Sequence, residues 1–219
     1  MKSLFDWVMN RRARVLTERL HGCLPAGSRV ADIGSGTGHN AERWRADLKV
    51  EVDEFDVADL HWVGAGPIPF DGQSLPVSTA SYDVAALLFV LQYARDPVAL
   101  LREVRRACSG HVVIVQSTCR GPWGRFWLGA RELIWGRFAF HIARLARMVH
   151  TSACPLASLR AFSRTELRKV IDEAGFCIET WETEEWHGLN ISRDLIVLVA
   201  DHTTPTSPSS SRPAMKSAG

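Results

Sequence analysis

Three glycines in alternation behind an aspartate, Asp32-Ile33-Gly34-Ser35-Gly36-Thr37-Gly38, are the residues of this chain whose spacing speaks most directly of chemistry. A glycine has no Cβ to hold a ligand off and adopts positive φ at little cost, so such a turn brings backbone N–H groups against a guest. Val30 to Ile33 reads as a short buried strand before the turn, and a helix pattern follows through Ala41 and Trp44. Strand, glycine turn and helix N-terminus together suit a nucleotide-like cofactor. The order differs from the dinucleotide fingerprint G-x-G-x-x-G, which disfavours a nicotinamide enzyme, and no Tyr-x-x-x-Lys pair is recognisable. Further on, Asp56 sits near the end of a second strand pattern, with Asp53 and Glu54 as close rivals. A carboxylate there can accept hydrogen bonds from both hydroxyls of a ribose.

These residues need a frame. Leu4 to Leu20 reads as an amphipathic helix with Phe5, Val8, Met9, Val15, Leu16 and Leu20 inward and the arginines between them solvated. Residues 22–28, with Pro25 and Gly27, connect it to the first strand. Val50 to Val57 alternates as a strand, Ala58 to Phe70 reads as loop, and Ser81 to Leu88 is an apolar strand of the buried type. Asp96 is placed to cap a helix over Pro97 to Cys108 with Pro97 at its first position. His111 to Ser117 is another buried strand. Ser163 and Glu166 form a capping box for a helix stopped at Gly175. Phe176 to Trp181 and Leu195 to Ala200 read as the last strands. Strands alternating with helices imply an α/β fold, a doubly wound and mostly parallel sheet with helices on both faces.

With these elements in order, the sequence resembles the class I, Rossmann-like, S-adenosylmethionine-dependent methyltransferases. The likeness runs from about Arg29 to Ala200. It rests on the Asp32 and Gly34-x-Gly36-x-Gly38 loop, on Phe70-Asp71-Gly72-Gln73-Ser74-Leu75-Pro76, and on Ser81-Tyr82-Asp83-Val84 running into Val90-Leu91 and Asp96-Pro97. The resemblance implies seven strands with an antiparallel edge hairpin and S-adenosyl-L-methionine as cofactor. It assigns Asp32, Gly34, Ser35, Gly36 and Gly38 to the amino-acid and ribose portions of the cofactor. Asp56 and Val57 follow at the second strand end, Asp71 and Gly72 at the adenine, and Phe89 after the fourth strand. Tyr93 lies where the family often places histidine, and its phenol is better suited to positioning an acceptor than to deprotonating it.

Composition narrows the acceptor. The 219 residues allow one domain with a full core: a helix at 1–28, a methyltransferase domain at 29–200 and a tail at 201–219 rich in Ser, Thr and Pro, expected to be disordered. A net charge of +2 does not argue for nucleic acid. The [DN]-P-P-[FYW] run of amino-directed nucleic-acid methylases is missing as well. Five scattered cysteines without a C-x-x-C pair argue against a disulfide framework or a metal site, and for a cytoplasmic protein. No apolar run is long enough to span a bilayer. The insert at 120–161 interleaves aromatic residues with arginines and is expected to be a helical lid. Its apolar positions exceed one helix face, so it has three candidate partners: the domain's own core, a small apolar or aromatic acceptor touched by Trp127 and Phe138, or a membrane surface met peripherally. His39, His141, His150 and His187 can each be drawn near such a site, but none is singled out as a catalytic base.

Overall fold

The computed structural model describes residues 2–132, 134, 160–186 and 189–200. Phe138, His141, His150 and His187, most of the insert and the tail at 201–219 lie outside them. Within the described residues, the buried run at Val30 becomes β1 (Arg29–Ile33), whose last four residues are all buried, the signature of a strand covered on both faces. It pairs in parallel with β2 (Glu51–Asp56) and β4 (Tyr82–Leu88). β2 carries β3 (Ile68–Pro69) at its outer edge, and β4 carries β5 (Cys108–Cys119). β7 (Ile191–Ala200) runs antiparallel to both β5 and β6 (Phe176–Trp186). The seven-stranded order is β3-β2-β1-β4-β5-β7-β6. The strand order reverses between β1 and β4, which is where a doubly wound sheet opens a crevice beyond its carboxyl ends.

Four strand readings need correction. β5 spans Cys108–Cys119 rather than His111 to Ser117, taking over Cys108 from the expected helix, and β7 begins at Ile191 rather than Leu195, its start hidden by the polar Ser192, Arg193 and Asp194. β3 lies in a stretch expected to be loop; it is two exposed residues long, too short to show periodicity, and its proline is tolerated because β3 is the edge strand of the sheet among the described residues. β6 continues past Trp181 through Glu182 to Glu185, because an edge strand can carry charges that a central strand cannot.

Helices α1 (Lys2–Leu20) and α2 (His39–Leu48) cover one face of the sheet. There Leu16, Leu20, Trp44 and Leu48 pack with Val30, Val84, Val113 and Leu195. Helices α3 (Pro97–Ala107) and α5 (Arg164–Glu173) cover the other, where Leu100, Leu101, Val104, Leu167 and Ile171 pack with Ile33, Leu87, Ile114 and Ile196. Both expected caps are present. Asp96 accepts from the N–H groups of Val98 and Ala99, and Ser163 with Glu166 completes the capping box. Helix α4 (Gly121–Glu132) follows β5 and lies in the insert.

Helix α1 departs from its expected face. Its buried stripe is Ala13, Leu16, Thr17 and Leu20, whereas Val8 and Val15 are 46% and 42% exposed. Thr17 is admitted inside because its hydroxyl donates to the Ala13 carbonyl. The first half of the helix overhangs the carboxyl end of the sheet, so that Arg12, though exposed, lines a cleft. Cys23, Cys108, Cys119 and Cys177 are free thiols, and no disulfide joins described residues.

Candidate active site

A cleft of about 740 Å³ runs along the carboxyl ends of the strands, from the β2 side to the β7 side. The glycine loop between β1 and α2 forms its floor. Gly34 and Ser35 both donate their N–H groups to the carbonyl of Phe55, which ties the loop to β2. At Gly36, φ is +59° and a Cβ would meet nothing within 4 Å, so this peptide borders open space in the cleft. At Gly38, φ is +81° and a Cβ would strike the Val63 carbonyl at 2.4 Å. The two glycines therefore serve different ends. Gly36 leaves room for a guest, whereas Gly38 allows the 59–66 loop to press on the helix start, where the N–H groups of Trp62 and Val63 donate to the Thr37 carbonyl.

Asp56 ends β2 and turns into the cleft, where its carboxylate accepts from the N–H groups of Gly36 and Ala58. Burial raises its pKa, and those two N–H groups oppose the shift. Its rivals are engaged elsewhere. Asp53 accepts from the Tyr82 hydroxyl, and Glu54 is held by Arg45. Val57, next in line, is 52% exposed on the cleft wall. Asp71 and Gly72 border the same end. The Asp71 carboxylate accepts from the N–H groups of Gln73 and Ser74, and these bonds lower its pKa.

The opposite end is made differently. Phe89 follows β4 with φ at +62°, a left-handed conformation that costs a non-glycine residue about 1 kcal/mol or more. Its N–H donates to the Val115 carbonyl, and its ring receives two guanidinium groups: Arg12 at 5.0 Å and Arg193 at 5.9 Å from the centroid. Arg131, near the end of α4, donates to the Ser117 hydroxyl at 3.0 Å. Ser117 is paired with Arg193 across β5 and β7. Tyr93 lines the cleft between the two ends. His39, buried at 3%, also borders the cleft. One ring nitrogen is 3.0 Å from the Thr37 hydroxyl and the other 2.9 Å from Asp6, so it fastens α1 to the glycine loop.

Three expected site residues stand apart from this wall. Asp32 is buried beneath the loop, with one carboxylate oxygen unpartnered; burial, then Glu54 and Asp56, raise its pKa well above the ordinary range. Gly38 faces the 59–66 loop, as described. Trp127 packs edge-on against Trp123 and Phe126 on the exposed side of α4, and it is Arg131 that α4 sends into the cleft. Phe138 lies outside the described residues. The sequence reading missed Met9, Arg12, Arg131 and Arg193. Arginine between apolar residues is the pattern of any solvated helix face, and only the overhang of α1 and the β5–β7 register bring these side chains together.

An orphaned buried hydroxyl at Ser35, the open space at Gly36 and the carboxylate of Asp56 fit a ribose-bearing cofactor along the β1–β2 end. A methyltransferase-domain family matches residues 8–180. Among solved structures, a SAM-dependent methyltransferase from Methanosarcina mazei superposes with a TM-score of 0.56 at 17% identity, over 82% of this chain and 95% of that one. Geranyl diphosphate C-methyltransferase from Streptomyces coelicolor, solved with Mg2+, geranyl diphosphate and S-adenosyl-L-homocysteine, gives 0.56 at 12% identity, over 86% and 78%. The [4+2]-cyclase SpnF gives 0.60 at 16% identity, over 86% and 79%. No curated protein matches by sequence. The chain belongs to the methyltransferase-domain family: it is a class I S-adenosylmethionine-dependent methyltransferase, and S-adenosyl-L-methionine is its cofactor.

Proposed function

We propose that this enzyme transfers a methyl group to a small molecule with an apolar or aromatic body. The observation that carries this reading is the continuity of the cleft. One cavity of about 740 Å³ reaches from Asp56 and Asp71 to Tyr93, Phe89 and Ser117, a size suited to a cofactor with a small acceptor. Met9, Leu60, Phe70 and Leu88 give it apolar walls. The S. coelicolor protein, of the same fold, was crystallised with a small organic acceptor in place.

Bound S-adenosylmethionine supplies a methyl group on a sulfonium, so the leaving group needs no activation. The chain's task is alignment and exclusion of water. Asp56 accepts from the ribose hydroxyls, the Gly36 peptide and the Ser35 hydroxyl meet the sugar and amino-acid portions, and Val57 and Asp71 flank the adenine. Tyr93 orients the acceptor. The scattered cysteines, with no C-x-x-C pair, favour a reducing compartment such as the cytoplasm. No described helix is long and apolar enough to cross a membrane.

The test is twofold. Calorimetry against S-adenosylhomocysteine and NAD should give binding of the first only. Incubation with methyl-labelled donor and a small-molecule extract should transfer label to a compound of low molecular mass. Binding of NAD without S-adenosylhomocysteine, or label found only in nucleic acid or protein, overturns the proposal. A second reading concerns where the acceptor is met. Trp123, Phe126 and Trp127 form an exposed aromatic cluster on α4, at 58%, 59% and 38% exposure, of the kind that sits in a membrane interface. Sedimentation with anionic liposomes tests it.

A further inference from the structure

The two ends of the cleft differ in charge. The carboxylates that line it, Asp56 and Asp71, both stand at the β2–β3 end. At the β5–β7 end the described lining residues include three guanidinium groups, those of Arg12, Arg131 and Arg193, and no carboxylate. Three separate elements, α1, α4 and β7, deliver them. Arg12 and Arg193 both lie within 6 Å of the Phe89 ring centre. Arg131 is bonded to Ser117, the cross-strand partner of Arg193.

The placement of Arg193 is built into the sheet. Asp194, fully buried, accepts from the hydroxyls of Thr118 and Thr183, which locks β7 against its two neighbours. Alternation along the strand then turns Arg193 to the opposite face, toward α1. Arg193 lies 3.7 Å from Glu184, a carboxylate that Arg19 also holds at 2.7 Å. Burial lowers the Arg193 pKa, Glu184 opposes this, and Arg19 and Arg131 add to the lowering. Positive charge therefore accumulates around a half-buried guanidinium beside an apolar wall.

We propose that the acceptor carries an anionic group, a phosphate or a carboxylate, held by Arg131 and Arg193 with Arg12 closing from α1. This rests on the methyl-transfer reading above and names the class of its substrate: an apolar body against Tyr93 and Phe89, and an anion at the β5–β7 end. Guanidinium groups suit it because their planar forks bind phosphate and carboxylate oxygens in pairs. A single carboxylate, such as the one on the cofactor's own methionine portion, engages one fork. Three from different elements suit a group of higher charge, or a second anion.

The experiment is titration of the full chain, saturated with S-adenosylhomocysteine, with inorganic pyrophosphate and with malonate. At least one probe should bind saturably, with an affinity that falls as salt is raised. The paired substitution Arg131→Gln and Arg193→Gln should weaken that binding about tenfold or more, and Arg131→Lys with Arg193→Lys should retain part of it. 5′-Methylthioadenosine, which lacks the cofactor's carboxylate, identifies the rival source. If the glutamine pair weakens S-adenosylhomocysteine but not methylthioadenosine, and leaves the anion probes unchanged, the arginines serve the cofactor and the proposal is overturned. It is equally overturned if neither probe binds the wild-type protein below about 10 mM, a result that needs no variant to fold. Failure of the underlying methyl-transfer reading looks different: S-adenosylhomocysteine itself does not bind.

Discussion

One end of the cleft is made of backbone and the other of long side chains. Near β1 and β2, a guest meets the peptides of Gly34 to Thr37 and the short carboxylates of Asp56 and Asp71, all close to the ends of adjacent strands. Near β5 and β7, it meets arginines from α1, α4 and β7. Peptides fixed by a parallel sheet bind one shape of guest and change little when distant residues change. Side chains gathered from remote segments can be exchanged one at a time without disturbing the sheet. Structures of this fold below 20% identity to the chain include both a C-methyltransferase and a cyclase, so the fold alone does not fix the reaction.

The comparison can be broken most forcefully at Asp56. Asp56→Ala should weaken S-adenosylhomocysteine by about 2–3 kcal/mol, roughly 30- to 150-fold, for the loss of charge-assisted hydrogen bonds to the ribose. Asp53→Ala, which loses only the Tyr82 contact and a distant arginine, should do far less. Equal losses in calorimetry would remove Asp56 from the cofactor end. Because burial raises the Asp56 pKa and binding needs the carboxylate, wild-type affinity should begin to fall at a higher pH on acidification than an ordinary aspartate would give.

Next comes the division of labour within the glycine loop. Gly38→Ala forces a Cβ against the Val63 carbonyl at positive φ and should lower stability by about 2–3 kcal/mol, seen as a drop of several degrees in Tm. Gly36→Ala meets no protein atom and should lower cofactor affinity more than stability. The reverse pattern would mean that the cofactor approaches Gly38.

A smaller effect is expected at Asp32, whose carboxyl is pushed well above the usual range by burial, Glu54 and Asp56. With the folded pKa above the unfolded one, the contribution of this group to stability is greatest below the unfolded pKa and is lost as pH rises through the folded pKa. Asp32→Asn should therefore raise the Tm of the cofactor-free protein at neutral pH by about 2–4 °C. That gain should shrink as the pH is lowered through the raised pKa; a gain that grows on acidification would contradict the assignment. Smallest of all is Trp127→Ala. Its ring lies outside the cleft, so S-adenosylhomocysteine affinity should stay within about twofold of wild type by calorimetry.

Legibility in the sequence follows the same division. The glycine loop, Asp56 and the Asp71-Gly72 turn are local patterns, and β1, β4, α3 and α5 announce themselves by buried runs and caps. The arginine end was not legible, because Arg12 and Arg193 meet on one ring only after the sheet has brought chain segments far apart in sequence together. On sequence grounds Trp127 is assigned to the pocket from the aromatic content of the insert, its place after the fifth strand and its excess of apolar positions over one helix face. Composition counts aromatic residues but carries no information on which side of α4 they emerge.

The position of β7, last of the described strands in sequence yet inside the sheet, has a consequence for how the chain is made. During synthesis β5 leaves the ribosome with one edge unpaired, and it stays so through the whole insert, α5 and β6, until Ile191 to Ala200 arrive to fill the gap. A bare apolar strand edge is a template for pairing with other chains. Until Ile191 to Ala200 pair with it, the Val112 to Val115 edge stays open, and nascent chains long enough to have released β5 but not β7 are the species on which a chaperone would be expected to act.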